Sequence, residues 1–247
     1  MPYYQTRKDS IQFMKKEFYD KPLYSVSNYV IAFLLSNIYI TLCNILFISF
    51  VIFTAISPDN FNLFLCFICL IPLGPSLGAL YSTTGKIIRE KDIYFSSYFW
   101  NAYKNNFISN LKLWMVELTI ITILFIDFQY FYLHSPGNGI YIIFIALIVI
   151  SLIAGFYAFA INSRFELKLK DLFVLSLYYM MKKFPITILK VAVIILGYYI
   201  LRYVSIVFIS FLPTVACIIF YFYDRVIFEE LENKFLSTID NKENINR

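Results

Sequence analysis

The sequence predicts an all-α, polytopic transmembrane bundle of six spans. Two observations carry that reading first. Hydrophobic residues are 60% of the chain and charged ones 15%, whereas a soluble domain is roughly half apolar and a quarter charged. Most charges also fall in segments between long apolar stretches, and a bilayer core takes roughly 20 consecutive apolar residues per helix. A third observation fixes orientation: of the 21 lysines and arginines, all but Arg202 fall on one side of the predicted spans.

The spans follow in order. The first runs from about Tyr29 to Ile56, and its polar members Asn37 and Asn44 are spaced to share one helix face. The second, Phe61 to Tyr81, contains Pro72 and Pro75. The third covers Leu113 to Leu133 and the fourth Ile140 to Ile161. The region Ile186 to Tyr223 is too long for one crossing of a hydrocarbon core about 30 Å thick. Two spans with a turn near Arg202, leaning on Pro213, fit it better, and five spans with an irregular last segment are the alternative. The chain thus divides into a cytoplasmic juxtamembrane segment 1–28, a transmembrane domain 29–223 and a cytoplasmic tail 224–247.

Basic residues stay cytoplasmic. Lys15, Lys16, Lys86, Arg89, Lys104, Lys168, Lys182, Lys183 and Arg225 therefore mark the inside. Both termini are expected there, in a multi-pass protein of the bacterial cell membrane. The net charge of +5 matches a cytoplasmic face toward anionic lipid, not nucleic acid. No cleaved signal is expected, because the first span is too long for one. Cys43, Cys66, Cys69 and Cys217 all sit in apolar spans, where cysteine acts as a small hydrophobe.

An internal duplication is expected. At an offset of 78 residues, Lys104 to Lys112 lies over Lys182 to Lys190. Each unit reads as a span, a basic turn, an amphipathic helix and the next span. In the first unit Phe95, Phe99, Tyr103, Phe107 and Leu111 recur every four residues. Such a helix can lie in the headgroup plane.

Few residues carry chemistry. Glu117 and Asp127 lie in the third span, where a carboxylate costs roughly 2.5–3.5 kcal/mol at the centre. Glu117 is expected to pair with Lys112 or reach the interface, and Asp127 to reach the outer headgroups; an ion relay is the sharper alternative. Gly74, Pro75, Gly78 and Tyr81 form a small-residue step around a prolyl break, which calls for close packing and neighbours that satisfy the freed carbonyl. Pro213 gives the last span a similar step, so spans two and six are expected to pack there. Arg164 and Glu166 should pair with other segments, Arg89, Glu90 or Asp92 being candidates. No catalytic set, phosphate loop or zinc spacing is visible, so a non-enzymatic protein without cofactor is expected.

These motifs resemble the YesL-like family of bacterial membrane proteins, a family of unknown function. The resemblance rests on Phe18 to Tyr24, Gly74 to Tyr81, Gly85 to Lys91, Phe99 to Phe107 and Ser163 to Glu166. The longer passage from the first span to the Gly-Pro motif departs from many relatives. The resemblance implies an accessory or regulatory role in carbohydrate uptake, with ABC importer subunits or a sensor kinase as partners besides the bilayer. A stand-alone transporter or channel is the alternative.

Overall fold

The computed structural model describes residues 22–57, 59, 61–90, 94–204 and 206–245. Most of the predicted segment 1–28, residues 18–21 of the motif at 18–24, Lys91 and Asp92 lie outside them. Every regular element among the described residues is helical. The helices are α1 (Pro22–Cys43), α2 (Ile45–Ile56), α3 (Leu63–Leu70), α4 (Leu73–Glu90), α5 (Phe95–Asn105), α6 (Phe107–His134), α7 (Ile140–Asn162), α8 (Leu169–Lys182), α9 (Phe184–Tyr199) and α10 (Leu212–Ile245).

Among the described residues, four stretches are long and apolar enough to cross a bilayer: Leu63–Glu90, Ile140–Asn162, Phe184–Val204 and Phe208–Lys234. A fifth is added if Ser27–Cys43 and Ile45–Ile56 count as one span. That pair is not the single straight crossing expected for Tyr29 to Ile56, because it bends by 75°. Asn44 stands at the bend. Its Nδ2 donates to the Ile40 carbonyl at 2.9 Å and to Ser76 Oγ at 2.8 Å. A side-chain amide that competes for a helical carbonyl is a known cause of bending. The expected third span coincides with α6, a helix of 28 residues, about 42 Å at 1.5 Å per residue, which is not among these stretches.

Helix α4 is the axis of the bundle, buried without a break from Gly74 to Gly85. Its glycines explain how neighbours come so close. A Cβ on Gly74 would lie 2.2 Å from Trp114 Cβ, and one on Gly78 would lie 2.1 Å from Asn110 Nδ2. Both partners are on α6, so the small-residue step packs on the third predicted span, not the sixth. The last helix meets α4 farther on, where a Cβ on Gly85 would lie 2.5 Å from the Tyr221 ring. Near the prolyl break the Trp114 indole donates to the Leu70 carbonyl at 2.8 Å.

Helices α6 and α7 form an antiparallel hairpin. Asn162 Nδ2 donates to Asn110 Oδ1 at 2.8 Å near one end, and Phe131 stacks on Phe144 near the other. Gly139, with φ of 64°, closes the connection in the left-handed region that suits glycine. The periodic aromatics of α5 stack on one another and on Tyr39 of α1. Tyr39 Oη donates to Ser96 Oγ at 2.7 Å. This face is therefore turned toward the protein. Helix α8 instead exposes Val174, Leu177 and Met181 on one stripe.

Breaks at Asn106 and Lys183 separate α5 from α6 and α8 from α9, one position out of step with the sequence alignment. In the last region a π-turn (Ile200–Val204) and a 3-10 turn (Ile206–Ser210) separate α9 from α10, close to the expected turn at Arg202. Pro213 does not break α10; it is the second residue, where the missing N–H costs nothing. The helix then passes the expected edge at Tyr223 without interruption.

Candidate functional site

The α9–α10 hairpin sets two charges opposite one another inside the bundle. Lys190 Nζ lies 2.9 Å from both carboxylate oxygens of Asp224, and the two side chains are 0% and 1% exposed. The ammonium also sits 3.3 Å from the centroid of the Tyr157 ring on α7. Tyr157 Oη is 3.1 Å from Thr187 Oγ1, and the Thr187 hydroxyl donates to the Met180 carbonyl at 2.7 Å. Threonine has one proton to give, so Tyr157 is the donor to Thr187. Three helices thus converge on one lysine. Burying two charges costs several kcal/mol per ion, recovered only when the geometry is good; here the ammonium has the carboxylate and the Tyr157 ring face as partners, while Asp224 Oδ1 accepts no hydrogen bond.

A second layer lies six residues farther along α10, about 9 Å at 1.5 Å per residue. Glu230 contacts Lys182 and is 3.3 Å from Lys183. The hydrogen bond to Glu230 raises the Lys182 ammonium above its usual range. Burial pushes the neighbouring Tyr179 hydroxyl up to about 12. Both groups keep their protons at neutral pH. Lys182 and Lys183 are therefore engaged within the chain.

The sequence-predicted residues fall into separate places. Gly74, Pro75, Gly78 and Tyr81 are buried on α4. Arg89 ends the same helix and its Nη1 donates to Tyr221 Oη at 2.6 Å. Glu117 does not pair with Lys112 or reach an interface. It is 1% exposed and accepts from Ser151 Oγ at 2.8 Å, beside Gly155 of α7 and a void of about 100 Å³. Asp127 is half-buried toward the other end of α6. Arg164 pairs with Glu232 at 2.6 Å and lies over the Phe228 ring, and not with Glu90, while Asp92 is outside the described residues. Glu166 is exposed.

Lys190 and Asp224 were missed because each reads as part of the basic edge or the tail. The available signal was symmetry: they are equidistant from position 207, in the middle of the last connection. All four cysteines are free, and Cys217 Sγ lies 4.0 Å from Thr84 Oγ1. Among the described residues, no three or more His, Cys, Asp or Glu group together as metal ligands would.

A cavity of about 710 Å³ lies between α1, α4, α5, α9 and α10. Its walls are apolar, Ser36 and Thr84 being its small polar members besides tyrosines.

Residues 40–128 match a family described as protein of unknown function, DUF624. The matched part holds the bend at Asn44, the Gly-Pro helix and most of α6, and stops short of the Lys190–Asp224 pair. No curated protein and no solved structure matches the chain.

Proposed function

We propose that the chain is a six-span protein of the bacterial cell membrane, both ends cytoplasmic, that acts as a non-enzymatic accessory or regulatory subunit in carbohydrate uptake. One observation carries the choice of accessory over carrier: the charged groups inside the bundle are closed on partners of the same chain. Lys190 is matched by Asp224, and Glu117 takes the Ser151 hydroxyl. The large cavity is apolar, a poor lining for a sugar, whose hydroxyls need polar partners. The exposed stripe Val174, Leu177 and Met181 on α8, beside Lys168 and Lys170, offers an amphipathic surface on the basic side. An ancestral duplication of the span–helix–span unit belongs to the same reading, supported by breaks at Asn106 and Lys183 that fall within one position of the alignment. The tie to carbohydrate uptake and to ABC importer subunits or a sensor kinase comes from the YesL-like resemblance.

The intramembrane carboxylates favour a second reading, a stand-alone transporter, because ionisable groups within spans often mark ion pathways. Purification from native membranes with mass spectrometry separates the two. Importer or kinase subunits are expected to accompany the protein, and vesicles holding it alone are expected to move no sugar. A solitary protein that carries a solute in vesicles overturns the accessory reading.

A further inference from the structure

Two acidic side chains are buried among the described residues, Asp224 and Glu117. Asp224 has Lys190 as its counter-charge, and Glu117 has no cation beside it. The space of about 100 Å³ next to the Glu117 carboxyl is walled by Leu73 and Leu77 of α4, Trp114 of α6, and Leu152, Phe156 and Phe159 of α7. One hydrogen bond reaches the carboxyl, from Ser151 Oγ to Oε1 at 2.8 Å. The Trp114 indole, the other side-chain donor in the lining, is engaged with the Leu70 carbonyl at 2.8 Å. Gly155 brings the α7 backbone against the group: a Cβ there would lie 3.0 Å from Glu117 Cδ and 3.2 Å from Oε1. No lining side chain other than Glu117 is titratable. Along α4 and α7 the nearest titratable groups are Tyr81 and Tyr157, neither of them in the lining, and Tyr157 is turned to Thr187. Along α6 the nearest is Lys112, which is exposed. It stands five residues back, about 7.5 Å along the axis and roughly 140° around it.

A carboxylate in such a place must find a counter-charge or give up its own. A hard cation such as calcium takes roughly six to eight oxygen ligands. The side chains here offer the two carboxylate oxygens and one hydroxyl, and the remaining walls are hydrocarbon. A buried acid so placed becomes neutral by taking a proton. We propose that Glu117 is a proton-binding site, held inside the bundle as the neutral carboxylic acid at neutral pH. Oε1 is then the carbonyl oxygen that accepts from Ser151, and Oε2 carries the proton. Loss of that proton would leave an uncompensated charge where Gly155 packs on α6, so the α6–α7 hairpin packs around one proton. This goes beyond both functional readings and depends on neither. A proton held in place suits an accessory subunit, and one exchanged between the two faces would suit a carrier.

Infrared absorption of the full chain in a maltoside detergent, which has no carbonyl of its own, reads the charge state. A carboxylic acid has a C=O stretch that a carboxylate lacks. Chains made with glutamate carrying heavy carbon at Cδ and, separately, aspartate carrying it at Cγ distinguish the two kinds of acid without any substitution. At neutral pH the wild-type chain is expected to show an acid band that shifts down with labelled glutamate and stays put with labelled aspartate. Glu117→Gln is expected to remove the band and Asp127→Asn to leave it. Ser151→Ala is expected to move it to higher frequency, because the carbonyl oxygen loses its donor; that shift ties the band to this site even if Glu117→Gln does not fold. The proposal is overturned if the wild-type chain has no glutamic-acid band at neutral pH, if folded Glu117→Gln keeps it, or if Ser151→Ala leaves its frequency unchanged. A wild-type band that disappears on adding sodium or calcium ions would give the site to a cation and overturns it as well.

Discussion

Removing one member of the Lys190–Asp224 pair should be the most damaging single change in the bundle. At 2.9 Å the two charges attract by about 6 kcal/mol with an effective dielectric constant near 20. Desolvation offsets much of that, so the net worth of the intact pair is small. The loss of one partner is another matter, because it strands a charge that has no water within reach. Breaking a buried pair costs about 3–5 kcal/mol, while replacing both members with apolar residues of similar volume is often neutral or stabilising. Asp224→Leu should therefore lower the folded-to-unfolded ratio by two to three and a half orders of magnitude, at about 1.4 kcal/mol per tenfold. Lys190→Met should do nearly the same, with a further loss from the contact to Tyr157, worth about 2 kcal/mol when desolvated. The double variant should recover most of the stability. Equilibrium unfolding in mixed micelles, followed by circular dichroism, gives the four free energies. Additive single losses with no recovery in the double variant would refute the reasoning, because they would mean that the two side chains do not share one buried site.

Gly78→Leu should reduce folded protein extracted in mild detergent by an amount corresponding to about 1–3 kcal/mol of overpacking. Even its Cβ would fall 2.1 Å from Asn110 Nδ2, and a normal melting curve would contradict the packing of α4 on α6. Glu117→Gln should leave folding intact, since an amide oxygen still accepts from Ser151; host sugar uptake that vanishes with folding preserved would favour the transporter reading. Arg164→Ala should cost about 0.2–1 kcal/mol by thermal melting, as its partner Glu232 is partly solvated and such pairs contribute little. A loss near that of Asp224→Leu would mean that Arg164 anchors α10 more deeply than its contacts suggest.

The order of the helices was largely legible in the sequence, because apolar runs report directly on helix length. The connection near Arg202 and the tight step at Gly74 and Gly78 follow from those signals and from residue size, whereas α4 runs on to Glu90, past the edge expected at Tyr81. Partner choice was not legible. Gly78 specifies that something approaches closely, but only the three-dimensional arrangement names Asn110. Arg164 needed an anion, yet nothing local distinguishes Glu232 from the acidic residues near Arg89. The bend at Asn44 was hidden because a side-chain amide bends a helix through a hydrogen bond to its own backbone and to Ser76, in a stretch whose hydropathy is uniform. The charge pair was hidden for a different reason: Lys190 lies near an edge rich in lysine, and only its register against α10 turns it inward.

Cysteine accessibility from outside intact cells tests the multi-pass, both-ends-inside arrangement most directly. Single substitutions Asp59→Cys, Asn138→Cys, Lys104→Cys, Lys170→Cys and Asn241→Cys would be treated with a membrane-impermeant maleimide, the wild-type chain serving as background for its four native thiols. The account predicts labelling at positions 59 and 138 and protection at 104, 170 and 241 until the cells are opened. External labelling at 241, or protection at 59 and 138 in intact cells followed by labelling on lysis, would contradict it.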